Sequence, residues 1–231
     1  MDAVVYEAGA VVRDETGSGV LVDRCLVLTA RHVLGPPPGP GEERRIEVTW
    51  RPHLARRDAV SLGWTRRSAR IVALGGGRGT RRTDLLDDWA LIALDRPIKG
   101  IEPTPLDAHD CCAQSTTEPM ALLGFPADHF ERANPVPWVD PECRVSETLA
   151  NGIVATSCQA TSGNSGGPLL VLRAEGWRVA AVLTRANAPR IGGGVSGDEN
   201  FAIPIDGFLR RVVARANLDA SCGPWVAPGR S

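Results

Sequence analysis

The residues Thr161-Ser162-Gly163-Asn164-Ser165-Gly166-Gly167-Pro168-Leu169 set one serine among three glycines, directly before an apolar run from Leu169 to Leu172. Glycine takes backbone dihedrals closed to other residues. A loop of this make-up can aim two or three backbone N–H groups at one point beside the Ser165 hydroxyl, which is the geometry that stabilises an oxyanion. A serine hydroxyl is a weak nucleophile alone. It needs a neutral imidazole to accept its proton and a shielded carboxylate to hold that imidazole in one tautomer. The chain has four histidines, His32, His53, His109 and His129. Only His32 follows a strand-like run and a small-residue turn, in Leu26-Val27-Leu28-Thr29-Ala30-Arg31-His32-Val33. His53, His109 and His129 stand in polar, Pro-flanked stretches and read as solvated. Asp88 sits at the mouth of the apolar run Trp89 to Leu94, whereas Asp84 and Asp87 precede it on what reads as loop. A Ser165–His32–Asp88 set would perform nucleophilic acyl transfer.

The elements that must hold these residues are short and apolar. Runs at Val4 to Val12, Gly19 to Val22, Leu26 to Leu28, Ile46 to Trp50, Ala69 to Leu74 and Ala90 to Leu94 are each bounded by Gly, Pro or charged turns. A second set covers Ala121 to Leu123, Gly152 to Ala155, Pro168 to Leu172, Trp177 to Leu183 and Phe201 to Ile203. Many short strands at fairly even spacing predict an all-β sandwich or barrel. The irregular stretch from about Asp95 to Pro119 reads as the link between two such units. Asp206 is placed to cap a helix, about 206–217, whose apolar residues Phe208, Leu209, Val212 and Val213 recur at helical spacing. The tract Gly35 to Gly41 reads as a surface loop just past His32.

Composition narrows the partners. With 231 residues and a formal net charge of −1, no basic surface points to nucleic acid. No apolar run is long enough to span a membrane, and residues 1–6 have no secretory-signal pattern. The expected location is therefore cytoplasmic. Lys99 is the only lysine against 26 basic residues in all, an arginine bias that points to a GC-rich bacterial source. Six cysteines, Cys25, Cys111, Cys112, Cys143, Cys158 and Cys222, form no CxxC pair and no grouping with histidine. The expectation is six free thiols, no metal and no cofactor.

Three segments together resemble the chymotrypsin/trypsin-like serine peptidases, in the bacterial branch that includes HtrA-type and glutamyl-endopeptidase-type enzymes. Gly17-Ser18-Gly19-Val20 followed by Thr29-Ala30-Arg31-His32 is similar to that family's "GSG…TAxH". Asp88-Trp89-Ala90-Leu91-Ile92-Ala93-Leu94 resembles its "DxALhxL", and Gly163-Asn164-Ser165-Gly166-Gly167-Pro168-Leu169 its "GNSGGPL". Phe201-Ala202-Ile203-Pro204 resembles a late strand of the HtrA type. The resemblance runs from about residue 5 to about 213. It implies two six-stranded antiparallel Greek-key barrels with the active site between them and a short C-terminal helix. The first barrel (1–105) would carry His32 and Asp88, and the second (106–231) Ser165. It also implies a serine endopeptidase acting on a protein or peptide, with His32, Asp88 and Ser165 as triad and the N–H groups of Gly163 and Ser165 as oxyanion hole. Thr184 would lie beside the triad carboxylate. Gln159, Ala160, Thr184, Arg185 and Ala186, with a residue near Asn200, would line the substrate pocket; Asp198 and Glu199 lie close by in sequence.

The departures from the family are informative. Val33 and Thr161 stand where the digestive and clotting members have cysteines. Asn164 replaces the aspartate that receives a freed N-terminal amine, and no Ile-Val-Gly-Gly start exists, so activation by that route is not expected. No Asp occupies the place that gives trypsin its basic-residue preference. The alternative is an inactive or partner-gated peptidase fold, used as a binding module within a bacterial signalling or defence assembly.

Overall fold

The computed structural model describes residues 2–7, 10–35, 46–50, 65–76, 82–109, 118–126, 137–188, 199–219 and 222. Two curled antiparallel sheets, each of seven strands, make up nearly all of it. The first contains β1 (Asp2–Glu7), β2 (Ala10–Thr16), β3 (Gly19–Asp23), β4 (Leu26–Ala30), β5 (Ile46–Trp50), β6 (Thr65–Leu74) and β7 (Trp89–Leu94), in the order β2-β1-β5-β6-β7-β4-β3. The second contains β8 (Met120–Gly124), β9 (Trp138–Cys143), β10 (Val145–Thr148), β11 (Val154–Thr156), β12 (Pro168–Arg173), β13 (Gly176–Ala188) and β14 (Glu199–Pro204), in the order β10-β11-β14-β13-β12-β8-β9. One helix, α1 (Gly207–Asp219), follows. The all-β class and the C-terminal helix are as expected; each sheet has seven strands where six were expected. The apolar run Val4 to Val12 is not one strand but the inner parts of β1 and β2, which fold back on each other.

Alternation along two central strands explains why they read as unbroken apolar runs. Every residue of β4 and β7 is buried. Val27 on β4, with Ala90, Ile92 and Leu94 on β7, points into the first sheet's own core beside Leu21, Cys25 and Ile46. Leu26 and Leu28, with Trp89, Leu91 and Ala93, point the other way. There they meet Ile153, Ala155, Val179, Val182, Phe201 and Ile203 of the second sheet. A strand covered on both faces has no polar face to show. The second sheet closes on its own cluster of Met120, Leu122, Val154, Leu169, Val171 and Leu183.

The helix seals the shared core with Leu209 and Val213, one turn apart. Asp206 caps it as expected, its carboxylate accepting the Leu209 N–H at 2.7 Å. The linker between the sheets is fixed to both. Thr104 N–H donates to Leu21 O, and Leu106 bridges Val179 in parallel. Asp107, buried, receives Arg173 at 2.6 and 3.2 Å, and Arg173 also reaches Glu118. The Asp107 carboxylate raises the Arg173 guanidinium above its ordinary pKa, against a smaller opposing effect of burial.

The expectation of free thiols is corrected. Cys25 is bonded to Cys222 and Cys143 to Cys158, with Cα atoms 5.9 and 4.3 Å apart. The first pair joins residues 197 apart, with Cys222 lying against Cys25 in the β3–β4 turn. Such proximity is a property of the fold and leaves no spacing pattern in the sequence. Cys111 and Cys112 lie outside the described residues.

Candidate active site

The register of two strands brings His32 and Asp88 together. In the β4–β7 pair Ala30 stands opposite Trp89. The next residue of one chain and the preceding residue of the other continue the ladder, Arg31 N–H donating to Asp88 O at 3.0 Å. Beyond that point the chain turns into a 3₁₀ segment, Arg31–Leu34. The turn lays His32 across the Asp88 carboxylate. Oδ1 accepts the His32 backbone N–H at 2.9 Å, and Oδ2 faces His32 Nδ1 at 2.7 Å. Arg31 braces the turn through a 2.6 Å bond to Gly75 O.

Asp88 is 3% exposed, while the His32 side chain is about half open at 46%. A carboxylate shielded from water and bonded to one ring nitrogen fixes the tautomer. With an ionised carboxylate as acceptor, Nδ1 would be the donor of this bond and Nε2 the nitrogen with a free lone pair. From the second sheet, Thr184 on β13 donates its hydroxyl to the same Oδ2. Asp87 is exposed, and Asp84 lies in the 3₁₀ segment Arg82–Asp87 that leads up to Asp88. His109 sits in the linker, its backbone N–H bonded to Asp107 at 3.4 Å. His53 and His129 lie outside the described residues.

The Ser165 loop is held by backbone hydrogen bonds. Asn164 N–H donates to Thr161 O at 3.2 Å, closing a turn with Gly163 at φ 92°. That positive φ at the third position is what a type II turn requires, and glycine accepts it without strain. Gly167 N–H returns to Asn164 O at 2.8 Å, and Gly166 N–H donates to Leu183 O at 2.7 Å. Ser165 O accepts the Ser18 N–H at 2.7 Å, which ties the loop to the first sheet. Gly166, at φ 83°, presses against Thr29 and Ala30, and a Cβ there would overlap Ser18 O and Thr29 Oγ1. The loop is thereby seated on β4, the strand that runs into the His32 turn.

Within 163–167 the N–H groups of Asn164, Gly166 and Gly167 are all used. Those of Gly163 and Ser165 make no hydrogen bond among the described residues. Two uncommitted donors on the serine's own loop can receive an oxyanion. Asn164 carries a further oddity. It is fully buried, and neither Oδ1 nor Nδ2 of its carboxamide has a partner among the described residues. An unsatisfied buried polar group costs about 1–3 kcal/mol.

Of the expected pocket residues, Ala160 is buried and Gln159 and Arg185 are exposed. Thr184 is turned to Asp88, as expected. Ala186 continues β13, and Glu199 opens β14; their side chains, and all of Asp198, lie outside the described residues. Asn200 is buried and donates to Cys158 O, while Thr156 Oγ1 donates to Asn200 O at 3.4 Å. Sequence reasoning missed Asp140. Its buried carboxylate accepts Gln159 N–H at 2.6 Å and Glu142 N–H at 3.1 Å, which fixes the segment leading to Ser165. The disulfide Cys143–Cys158 pins the same segment.

No curated protein matches the chain. Solved structures share its fold at low identity. The serine endoprotease from Yersinia pestis aligns with TM-score 0.55 and 19% identity over 94% of this chain, which spans 62% of that longer one. A Glu endopeptidase solved in complex with MPD aligns with TM-score 0.61 and 16% identity over 94% of this chain and 90% of its own. A protein named HBP aligns with TM-score 0.56 and 19% identity, over 98% and 94%. At these identities the likeness is one of fold. The profile of the trypsin-like peptidase domain matches residues 17–182, most of the chain, and the chain belongs to that family.

Proposed function

We propose that this protein is a serine endopeptidase in which Ser165 is the nucleophile, His32 the general base and acid, and Asp88 the orienting carboxylate. One observation carries the reading. His32 Nδ1, the Asp88 carboxylate and the Thr184 hydroxyl form one hydrogen-bonded chain, and a serine loop with two uncommitted N–H groups packs on Ser18, Thr29 and Ala30 of the segment that leads to His32.

In this reading Ser165 Oγ attacks the scissile carbonyl carbon while His32 Nε2 takes its proton. The carbonyl oxygen becomes an oxyanion held by the Gly163 and Ser165 N–H groups. Collapse expels the amine, which receives the proton from His32, and leaves an acyl group on Ser165. Water, deprotonated by His32, then attacks the ester and releases the acid. Asp88 stays ionic throughout and stabilises the imidazolium. The substrate is a protein or peptide strand. In this reading the substrate pocket lies near Gln159 and Ala160, with walls from Thr184 to Ala186 and a residue near Asn200.

The test is digestion of a mixed peptide library by the wild type and by Ser165→Ala. The reading expects new peptide termini with the wild type and none with the variant. Equal cleavage by both, or none by either, would overturn it.

A further inference from the structure

Ser18 stands just before β3 on the first sheet and is 1% exposed. Each of its polar groups is used, and all point at the nucleophile loop or at segments that frame it. Its N–H donates to Ser165 O at 2.7 Å. Its hydroxyl donates to Gly163 O at 2.8 Å and accepts the Phe125 N–H at 2.9 Å. Its carbonyl accepts the Thr29 hydroxyl at 2.7 Å. One residue of the first sheet thus holds the two residues whose N–H groups are uncommitted. Thr29, which anchors Ser18 in turn, stands three residues before His32 on the chain that runs into the histidine turn.

The packing leaves no slack around this contact. A Cβ on Gly124 would come within 3.1 Å of Ser18 Oγ, and a Cβ on Gly167 within 3.3 Å of Ser18 Cβ. The Gly163 peptide is gripped at both ends, its carbonyl by Ser18 Oγ and the following N–H by Thr161 O. Gly163 itself, lacking a side chain, has little else to fix it. Its N–H therefore points where the Ser18 hydroxyl and the turn together hold the residue.

We propose that the Ser18 hydroxyl is a positioning residue for the oxyanion hole, setting the Gly163 donor in register with Ser165 and with the base on the first sheet. The inference rests on the serine-peptidase reading of this site. Misplacing a preorganised donor weakens the transition state more than substrate binding. Ser18→Ala keeps the backbone bond to Ser165 O and loses only the hydroxyl. Its effect should fall on Gly163 and not on the nucleophile.

The experiment compares wild type, Ser18→Ala and Ser18→Cys on a peptide amide that the wild type turns over. Each is also titrated with the matching peptide aldehyde, which forms a tetrahedral adduct, and with the matching non-hydrolysable ground-state peptide. The expected result for Ser18→Ala is a kcat lower by about 10- to 100-fold, short of the loss when a donor is removed outright. KM should stay within about twofold. Aldehyde affinity should fall by the same factor as kcat/KM, and ground-state peptide affinity should not. Ser18→Cys, which keeps a weak donor and the side-chain shape, should fall between. It also supplies the comparison if the alanine variant does not fold. A role confined to stability would lower the melting temperature and leave kcat and the aldehyde series unchanged, which would overturn the inference alone. A wild type that neither turns over nor binds the aldehyde would overturn the peptidase reading and this inference with it.

Discussion

Thr184 and His32 meet on one atom. Oδ2 of Asp88 accepts the Thr184 hydroxyl from the second sheet and faces His32 Nδ1 on the first. The carboxylate is thus a joint between the two sheets as well as the partner of the imidazole. Anything that shifts the sheets moves this carboxylate.

Asp88→Asn tests the acid directly. The amide keeps the shape but can hold the wrong tautomer of His32, so turnover should fall by about 10⁴ with the fold intact. Circular dichroism and steady-state kinetics check both halves. Near wild-type turnover would show that Asp88 does not orient His32.

Thr184→Val removes one donor from Oδ2 and preserves the volume. A loss of about tenfold in kcat, equivalent to about 1.4 kcal/mol, is expected, with KM little changed. An unchanged kcat would reduce Thr184 to a strand residue.

Asn164→Asp would place a carboxyl where the carboxamide has no partner among the described residues. A buried carboxylate without a partner has its folded-state pKa raised above the unfolded value of about 3.9. The variant's penalty is therefore absent below that pH and grows as pH rises. Thermal melts should show Asn164→Asp well below wild type at pH 7 and close to it near pH 4. Equal melting temperatures at pH 7 would mean that a partner for the carboxylate exists.

Arg173→Leu would strand the buried Asp107 carboxylate and detach the linker from β12. Breaking a buried pair by removing one partner costs about 3–5 kcal/mol. Urea unfolding should show that loss, and adding Asp107→Leu should restore most of it. A single variant as stable as wild type would rule out the pair as the linker's anchor.

Much of this molecule can be read before it is seen, and the limits have physical causes. β4 and β7 were legible because both of their faces are apolar and covered. Asp88 and His32 were legible because each stands at the end of such a strand. β9 was not, since its inward positions are Asp140 and Cys143 and the rest are exposed, so no apolar alternation marks it. Ser18 lay within a quoted motif, but its role depends on a contact with Gly163, 145 residues away. The Cys25–Cys222 bond was hidden for the same reason. Local pattern announces strands and caps, and only the closed sheets decide which distant groups meet.

The central claim, that Ser165 is an activated nucleophile, is tested most directly by reaction with a fluorophosphonate followed by mass mapping of the adduct. One adduct per chain is expected, on the peptide containing Ser165, slowed by His32→Ala and absent from Ser165→Ala. An unlabelled wild type, or an adduct that persists in Ser165→Ala, would contradict it.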